Sequence, residues 1–240
     1  MDDLTPILSE WPWRPGRLDV RRLAGADGRA LLQVRVELGV LQMEADGRPD
    51  GLGYLAGASA LEWFRDPTRP SFSPAQVADL AAEISQRRQR ALACAMLEDW
   101  ARVRRDAVEN LEAIDLVARR AAESADRARL DAWRPHELAM RARAEAAIAL
   151  VAGRRDVAQA ALDLGLRSVR EAWTRAGSPD RATDGPEVTL LRALLDALTL
   201  KLPTSQRHEL ERRLQQAVLA ENYELAAILR DELRQMGDRA

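Results

Sequence analysis

Lysine is nearly absent from this chain: Lys201 is the only one among 36 basic residues. A phosphate-cradling GxxxxGK[ST] loop needs a lysine after its glycines, and Lys201 sits instead in Leu200-Lys201-Leu202-Pro203, which excludes an ATPase of that kind. Cysteine is as scarce. Cys94 stands alone, so neither a disulfide framework nor a multi-cysteine zinc site can form, and two histidines, His136 and His208, are too few for a histidine-based metal centre. No run approaches the roughly 18 apolar residues of a membrane span. The formal net charge of -2 sets up no global field toward nucleic acid or an anionic membrane. The chain opens with Asp2, Asp3 and a Trp11-Pro12-Trp13-Arg14-Pro15 segment where a secretory signal would place an apolar core, so a cytoplasmic protein is expected.

What the chain does have is helical periodicity after a different first 50 residues. Leu18 to Leu23, the turn Gly25-Ala26-Asp27-Gly28 and the alternation Leu32, Val34, Val36, Leu38 predict a β-hairpin. Gly39 interrupts that alternation as a bulge or bend would, and the apolar set moves to Leu41 and Met43. Asp46 to Gly51 reads as a tight turn, without the alternating oxygen ligands or closing glutamate of a calcium loop. So small a sheet must pack on the helical part or continue a partner's sheet.

A short helix is expected from Leu55 to Phe64, and Ser73 followed by Pro74 predicts the capped start of a long one. From Ala75 to Arg175 the sequence is helical throughout. Ala91, Cys94, Leu97, Asp99, Trp100, Val103 and Ala107 fall at the offsets of a tetratricopeptide helical pair, and Glu145, Ile148, Gly153, Ala158 and Leu162 repeat them about 55 residues later. That repeat is usually about 34 residues, so an extended helix or an extra segment must intervene. Gly177 to Pro186 reads as a linker, and Val188, Leu191, Leu194, Leu195 and Leu198 form one more amphipathic helix.

The residues that could carry chemistry are better explained by structure. Cys94 lies beside Ala91 and Leu97 on an inner helix face, and His136 and His208 are expected at the surface. The pairs Arg87-Arg88, Arg104-Arg105, Arg119-Arg120 and Arg154-Arg155 suggest a phosphate groove, but residues 75–175 hold 18 basic against 16 acidic side chains, so solvated helix faces with one-turn ion pairs are expected. Trp100, Trp133 and Trp173 are read as core. The segment around Trp11 and Trp13 is either a strap over the body or a presented peptide.

The strongest signal is Ser205 to Met236. Pro203 stops any preceding helix, and Leu210, Leu214, Ala217 and Val218 then line one helical face, with Glu209 and Arg213 one turn apart outside it. A hinge follows at Ala220-Glu221-Asn222. In the second run Tyr223, Ala226, Ala227 and Arg230 share a face, while Leu225, Ile228 and Leu229 spread apolar character beside it. A hairpin this short falls below the roughly 40 residues at which a domain usually folds unaided, so its second apolar face should dock on something.

Leu210 to Leu214, Ala217, Glu221-Asn222-Tyr223-Glu224, Ala226-Ala227 and Arg230-Asp231-Glu232-Leu233 resemble the UVR motif, the helical hairpin of UvrB and UvrC that also occurs in Clp ATPases and in the activator of a bacterial protein arginine kinase. Tyr223 stands where that family usually has Phe, and Leu225 where it often has Glu. The resemblance implies a protein-interaction module that often pairs with another copy of itself. The stretch LGVLQMEADGRPDG is similar to the front end of planctomycete-type bacterial proteins that also finish in a UVR motif, which implies a shared architecture but no activity.

The expectation is thus a mainly α protein: a small antiparallel β element (1–53), a tetratricopeptide-like helical domain (54–176), a linker (177–186), and a connecting helix with a UVR hairpin (187–240, hairpin 205–236). Its expected role is a non-enzymatic bacterial adaptor without cofactors or metals, docking on proteins through Leu214, Val218, Tyr223, Ala226, Ala227, Ile228, Arg230 and Leu233. UVR-containing proteins of the UvrB/UvrC or Clp ATPase type, or a second copy, are the expected partners. An accessory nucleic-acid-binding or DNA-repair role is the alternative.

Overall fold

The computed structural model describes residues 4–55, 57–69, 71–199, 204–219, 225 and 228–233, with the backbone alone at 199, 204–209, 218 and 219. The fold is mainly α, with one three-stranded sheet and helical hairpins, and it divides into two compact units, Met1–Leu191 and Arg192–Ala240.

The first unit opens with a short helix α1 (Thr5–Glu10) and a meander of β1 (Asp19–Ala24), β2 (Ala30–Val36) and β3 (Gly39–Glu44), antiparallel in that order. Leu32 and Val34 of β2 and Met43 of β3 pack with Cys94, Val103, Ala107 and Met140 of the helices. The alternate residues of β2, Leu31, Gln33 and Arg35, would face water in a single-layer sheet, yet they are buried as well. The tryptophan–proline segment covers them. Arg35 Nε donates to the Trp11 carbonyl at 2.6 Å, the Arg21 guanidinium lies 4.3 Å from the centre of the Trp11 ring, and Arg14 Nη2 reaches Asp19 at 2.6 Å. That segment is therefore a strap. Leu38 does not extend β2, as its place in the alternation suggested: it is 90% exposed in a two-residue turn, with Val36 opposite Gly39. Gly39 is the first residue of β3.

Helix α2 (Ala60–Phe64) starts later than Leu55. Leu55 has φ 49°, which no helix can contain, and the Ser59 hydroxyl caps the helix by accepting from the Glu62 amide at 3.1 Å. The buried Glu83 carboxylate accepts from the amides of Ala60 at 2.6 Å and Leu61 at 3.4 Å, two of the donors that a helix start leaves free.

Helix α3 (Pro74–Met96) begins with the expected Ser73 cap, completed as a capping box by Gln76. Asp99 caps α4 (Trp100–Arg120), and a short helix α5 (Ser124–Asp131) follows it. Helices α6 (Arg134–Val151) and α7 (Arg155–Arg175) turn at Gly153, whose φ of 71° suits glycine. α3 packs on α4, α4 on α6 and α6 on α7, so the body is two antiparallel hairpins in series. Their helices, 18 to 23 residues long, are longer than two can be within a repeat of about 34. The segment read as a linker carries helix α8 (Pro179–Asp184), and α9 (Pro186–Thr199) leads into the second unit with Val188 and Leu191 buried. Trp173 is buried, and Trp100 and Trp133 pack half-buried on the core.

The arginines depart most from expectation. Arg87 and Arg90 are not solvated: their side chains are 2% and 0% exposed. Arg90 meets Asp106 through two bonds of 2.8 Å and gives Nη1 to the carbonyls of Glu44 at 3.1 Å and Gly47 at 2.6 Å, joining α3, α4 and the end of β3. Arg105 adds a bond to the Ala45 carbonyl at 2.9 Å, and both Arg102 and Arg105 hold Asp46. Arg87 pairs with Glu83 and Glu109, and Arg120 donates to the carbonyls of Phe64 and Asp66.

Removing one partner of a buried ion pair strands the other charge, so Asp106→Ala should cost about 3–5 kcal/mol in urea unfolding, whereas Arg22→Ala, which breaks the exposed pair with Asp99, should cost under about 1 kcal/mol. Gly165→Ala should also destabilise. A Cβ there would lie 2.2 Å from that of Ala142, and overpacking of about 1–3 kcal/mol exceeds the gain of about 1 kcal/mol in helix propensity. Thermal melts of the two proteins would measure it.

Candidate functional site

In the second unit, α10 spans Thr204–Leu219, and residues 228–233 are helical. Ala217 and Leu229 are buried at 4% and 2% exposure, and Leu210, Leu214 and Leu233 are half-buried. Ile228 is 57% exposed although it is fully apolar. Arg230 is exposed too, with Asp231 at 3.8 Å. Ile228 and Arg230, two positions apart, lie on different sides of the helix and are both open, while Leu229 between them anchors it. The hinge at Ala220 to Asn222 and the sites Tyr223, Ala226 and Ala227 lie outside the described residues, as do the side chains of Val218 and His208.

The first unit holds a feature that periodicity did not suggest. α3 and α6 both pack on α4, and between them lies a trough of about 320 Å³ lined by Ser85, Arg88, Gln89, Leu92, His136 and Met140. On α3 these residues fall at helical spacing along one face, a pattern visible in the sequence. That this face meets His136 and Met140 is a tertiary fact and was not. His136 is half-buried here instead of lying open on the surface, and burial and the Arg88 cation lower its pKa, with Glu187 opposing them.

Beneath the trough Glu137 is 2% exposed. Its Oε2 accepts from Asn110 Nδ2 at 3.2 Å, and its Oε1 lies 3.2 Å from Arg88 Nε. Burial pushes this carboxyl up to about 7, aided by Asp106 and opposed by the Asn110 hydrogen bond and Arg88. Asn110 Oδ1 and Glu137 Oε1 are both buried without a hydrogen-bond donor.

The other chemistry-bearing residues are absorbed by the fold. Cys94 is fully buried, and burial raises its thiol to about 11. Tyr54 stacks among Trp63 and Phe64 and donates to Asp79 at 2.8 Å, with burial and that bond raising it to about 12. A shallow groove near the sheet-to-helix junction is bordered by Arg29, Glu44, Asp46 and Arg48, but these charges are engaged: Arg29 meets Glu44 at 2.5 Å, and Arg48 meets Asp50 at 3.0 Å. Among the described residues no group of three or more His, Cys, Asp or Glu could hold a metal ion, and no helix is long and apolar enough to cross a membrane.

Residues 204–238 match the UvrB/uvrC motif. A UVR motif is therefore present at the C-terminal end of the sequence given, on the helices that carry Leu214, Ile228 and Arg230. No curated protein and no solved structure matches the chain.

The buried carboxyl makes a signed prediction. Between about pH 4.5 and 7 the folded chain keeps a proton on Glu137 that the unfolded chain releases, so this group lowers the unfolding free energy as pH rises through that window and has no further effect above it. Glu137→Gln removes the dependence. Its stability relative to the unsubstituted protein should climb from pH 4.5 to 7 by up to about 3 kcal/mol, as read by urea titrations at stepped pH.

Proposed function

We propose that this chain is a non-enzymatic cytoplasmic adaptor in which a tetratricopeptide-like body carries a UVR hairpin that docks on a protein partner. The observation that carries the reading is the motif at 204–238, a helical element of a type that mediates interactions, seated on a chain whose ionisable residues are largely engaged in its own fold. Exposed Ile228 and Leu225 supply apolar area, and exposed Arg230 can orient a partner carboxylate. Leu214, Val218, Tyr223, Ala226, Ala227 and Leu233 complete the surface. The partner is another UVR-containing protein of the UvrB/UvrC or Clp ATPase type, or a second copy through the hairpin.

An accessory DNA-repair role is favoured by the same motif. In that role too the hairpin would touch protein, since a formal net charge of -2 gives no excess of cations for phosphates.

Ala227→Asp places an unpaired charge in the proposed interface and should weaken partner binding at least about tenfold while leaving the melting of the body unchanged. Affinity purification and mass spectrometry of the intact chain, this variant and a chain lacking 205–240 would check it. An identical partner set from all three would refute the docking role.

A further inference from the structure

Helix α1 buries little in its own chain, where Leu8 alone is half-buried. It is six residues long, none of them buried, and it exposes Leu4 at 49% and Ile7 at 38%. Isolated helices shorter than about 12–15 residues are marginal in water, so a turn this short needs an apolar surface to lie on. Its charge is one-sided: residues 2–10 contain Asp2, Asp3 and Glu10 and no basic side chain.

The trough between α3 and α6 has the opposite character. Its lining carries two ionisable groups, Arg88 and His136, and no carboxylate. Leu92 is 50% exposed, and Met96, one turn further along α3, is 52% exposed. Arg88 Nε lies 3.2 Å from Glu137 Oε1 and its guanidinium 5.5 Å from the centre of the Trp133 ring, and with its side chain 31% exposed it can meet an anion in the trough. Glu137 carries a proton about half the time near pH 7 and so neutralises Arg88 only in part.

We propose that this trough docks the acidic, apolar N-terminal turn of a second copy of the chain, with Leu4 and Ile7 against Leu92 and Met140 and an aspartate on Arg88. Each chain's own α1 leads into the strap on the outer face of the sheet, while the inner face of that sheet packs on the helices that form the trough. The exchange is therefore between copies, and it is reciprocal: each copy offers one turn and one trough, the requirement for a closed two-fold dimer. This association runs through the body and is independent of the hairpin. The charged groups that act on Glu137 are Arg88 on α3 and Asp106 on α4, and those that act on His136 are Arg88 and Glu187 on α9. Glu137 gains a proton as the pH falls from 8 to 6, which leaves Arg88 less neutralised, so docking should tighten in that direction.

Sedimentation and light scattering of the full chain, with circular dichroism to confirm folding, test the proposal. The expected result is a dimer that Ile7→Asp and Leu92→Asp each convert to a monomer with an unchanged spectrum, and that the hairpin substitution Ile228→Asp leaves intact. A fluorescein-labelled peptide of residues 2–10, titrated into the Ile7→Asp chain, should bind with a rise in anisotropy that Arg88→Gln weakens at least tenfold and that pH 6 strengthens relative to pH 8. A monomeric full chain that does not bind the peptide would overturn the proposal. A dimer broken by Ile228→Asp but indifferent to Ile7→Asp and Leu92→Asp would overturn it equally.

Discussion

The contact between Arg90 and Asp106 is the constraint around which the first unit is arranged. Both side chains are excluded from water, and an isolated charge of either sign would be strongly disfavoured there. The guanidinium is tolerated because four of its five N–H donors find acceptors: both oxygens of Asp106 and the carbonyls of Glu44 and Gly47. Those acceptors come from α4 and from the end of β3, so the requirement to satisfy one buried cation fixes the sheet against two helices. A lysine could not do this. Its ammonium presents three donors around a single point, whereas the planar fork of arginine spans acceptors on separate elements. The near absence of lysine, which base composition alone could explain, fits a fold that uses the fork repeatedly, at Arg35, Arg102, Arg105 and Arg120 as well.

Local chemistry was legible in the sequence, and long-range pairing was not. Ser73 with Pro74 announced the start of α3, the alternation in β2 announced a strand, and Cys94 between Ala91 and Leu97 announced a buried thiol; each signal is complete within one turn or one strand. The errors were of a different kind. Leu38 satisfies the alternation but sits where the chain reverses, because the reversal is decided by the pairing of Val36 with Gly39. Leu55 is a good helix former, yet its left-handed backbone and the Ser59 cap move the start of α2 to Ala60. The pair Arg87-Arg88 read as a solvated face because the one-turn partner of Arg87, Glu83, is local, whereas its second partner, Glu109, lies on α4, which no periodicity reports.

Of the candidate sites, the hairpin was legible as a motif, and the trough only as half a pattern. Leu214, Ile228 and Arg230 belong to a contiguous stretch whose spacing identifies it. Ser85, Arg88, Gln89 and Leu92 likewise share a face, but an amphipathic face is common to every helix of the body. What distinguishes this one is its position opposite His136 and Met140 and above Glu137, and that depends on how α3 and α6 share α4 as their support. The two surfaces differ physically. The hairpin offers exposed aliphatic area, whereas the trough sets aliphatic side chains beside a partly neutralised cation.

The seam between sheet and helices has one more property. Arg90 and Arg105 reach the strand end through the main-chain oxygens of Glu44, Ala45 and Gly47, and of that stretch only Asp46 contributes a side chain to the arginines of α4. A carbonyl is present whatever the residue, so position 44 can change identity without breaking these bonds provided the backbone keeps its path, while Ala45, 1% exposed in the core, leaves no room for a larger side chain. Gly47, with φ of 70°, guards that path. The joint is therefore written in the shape of the main chain more than in its letters, and it can persist while the sequence of the strand end drifts.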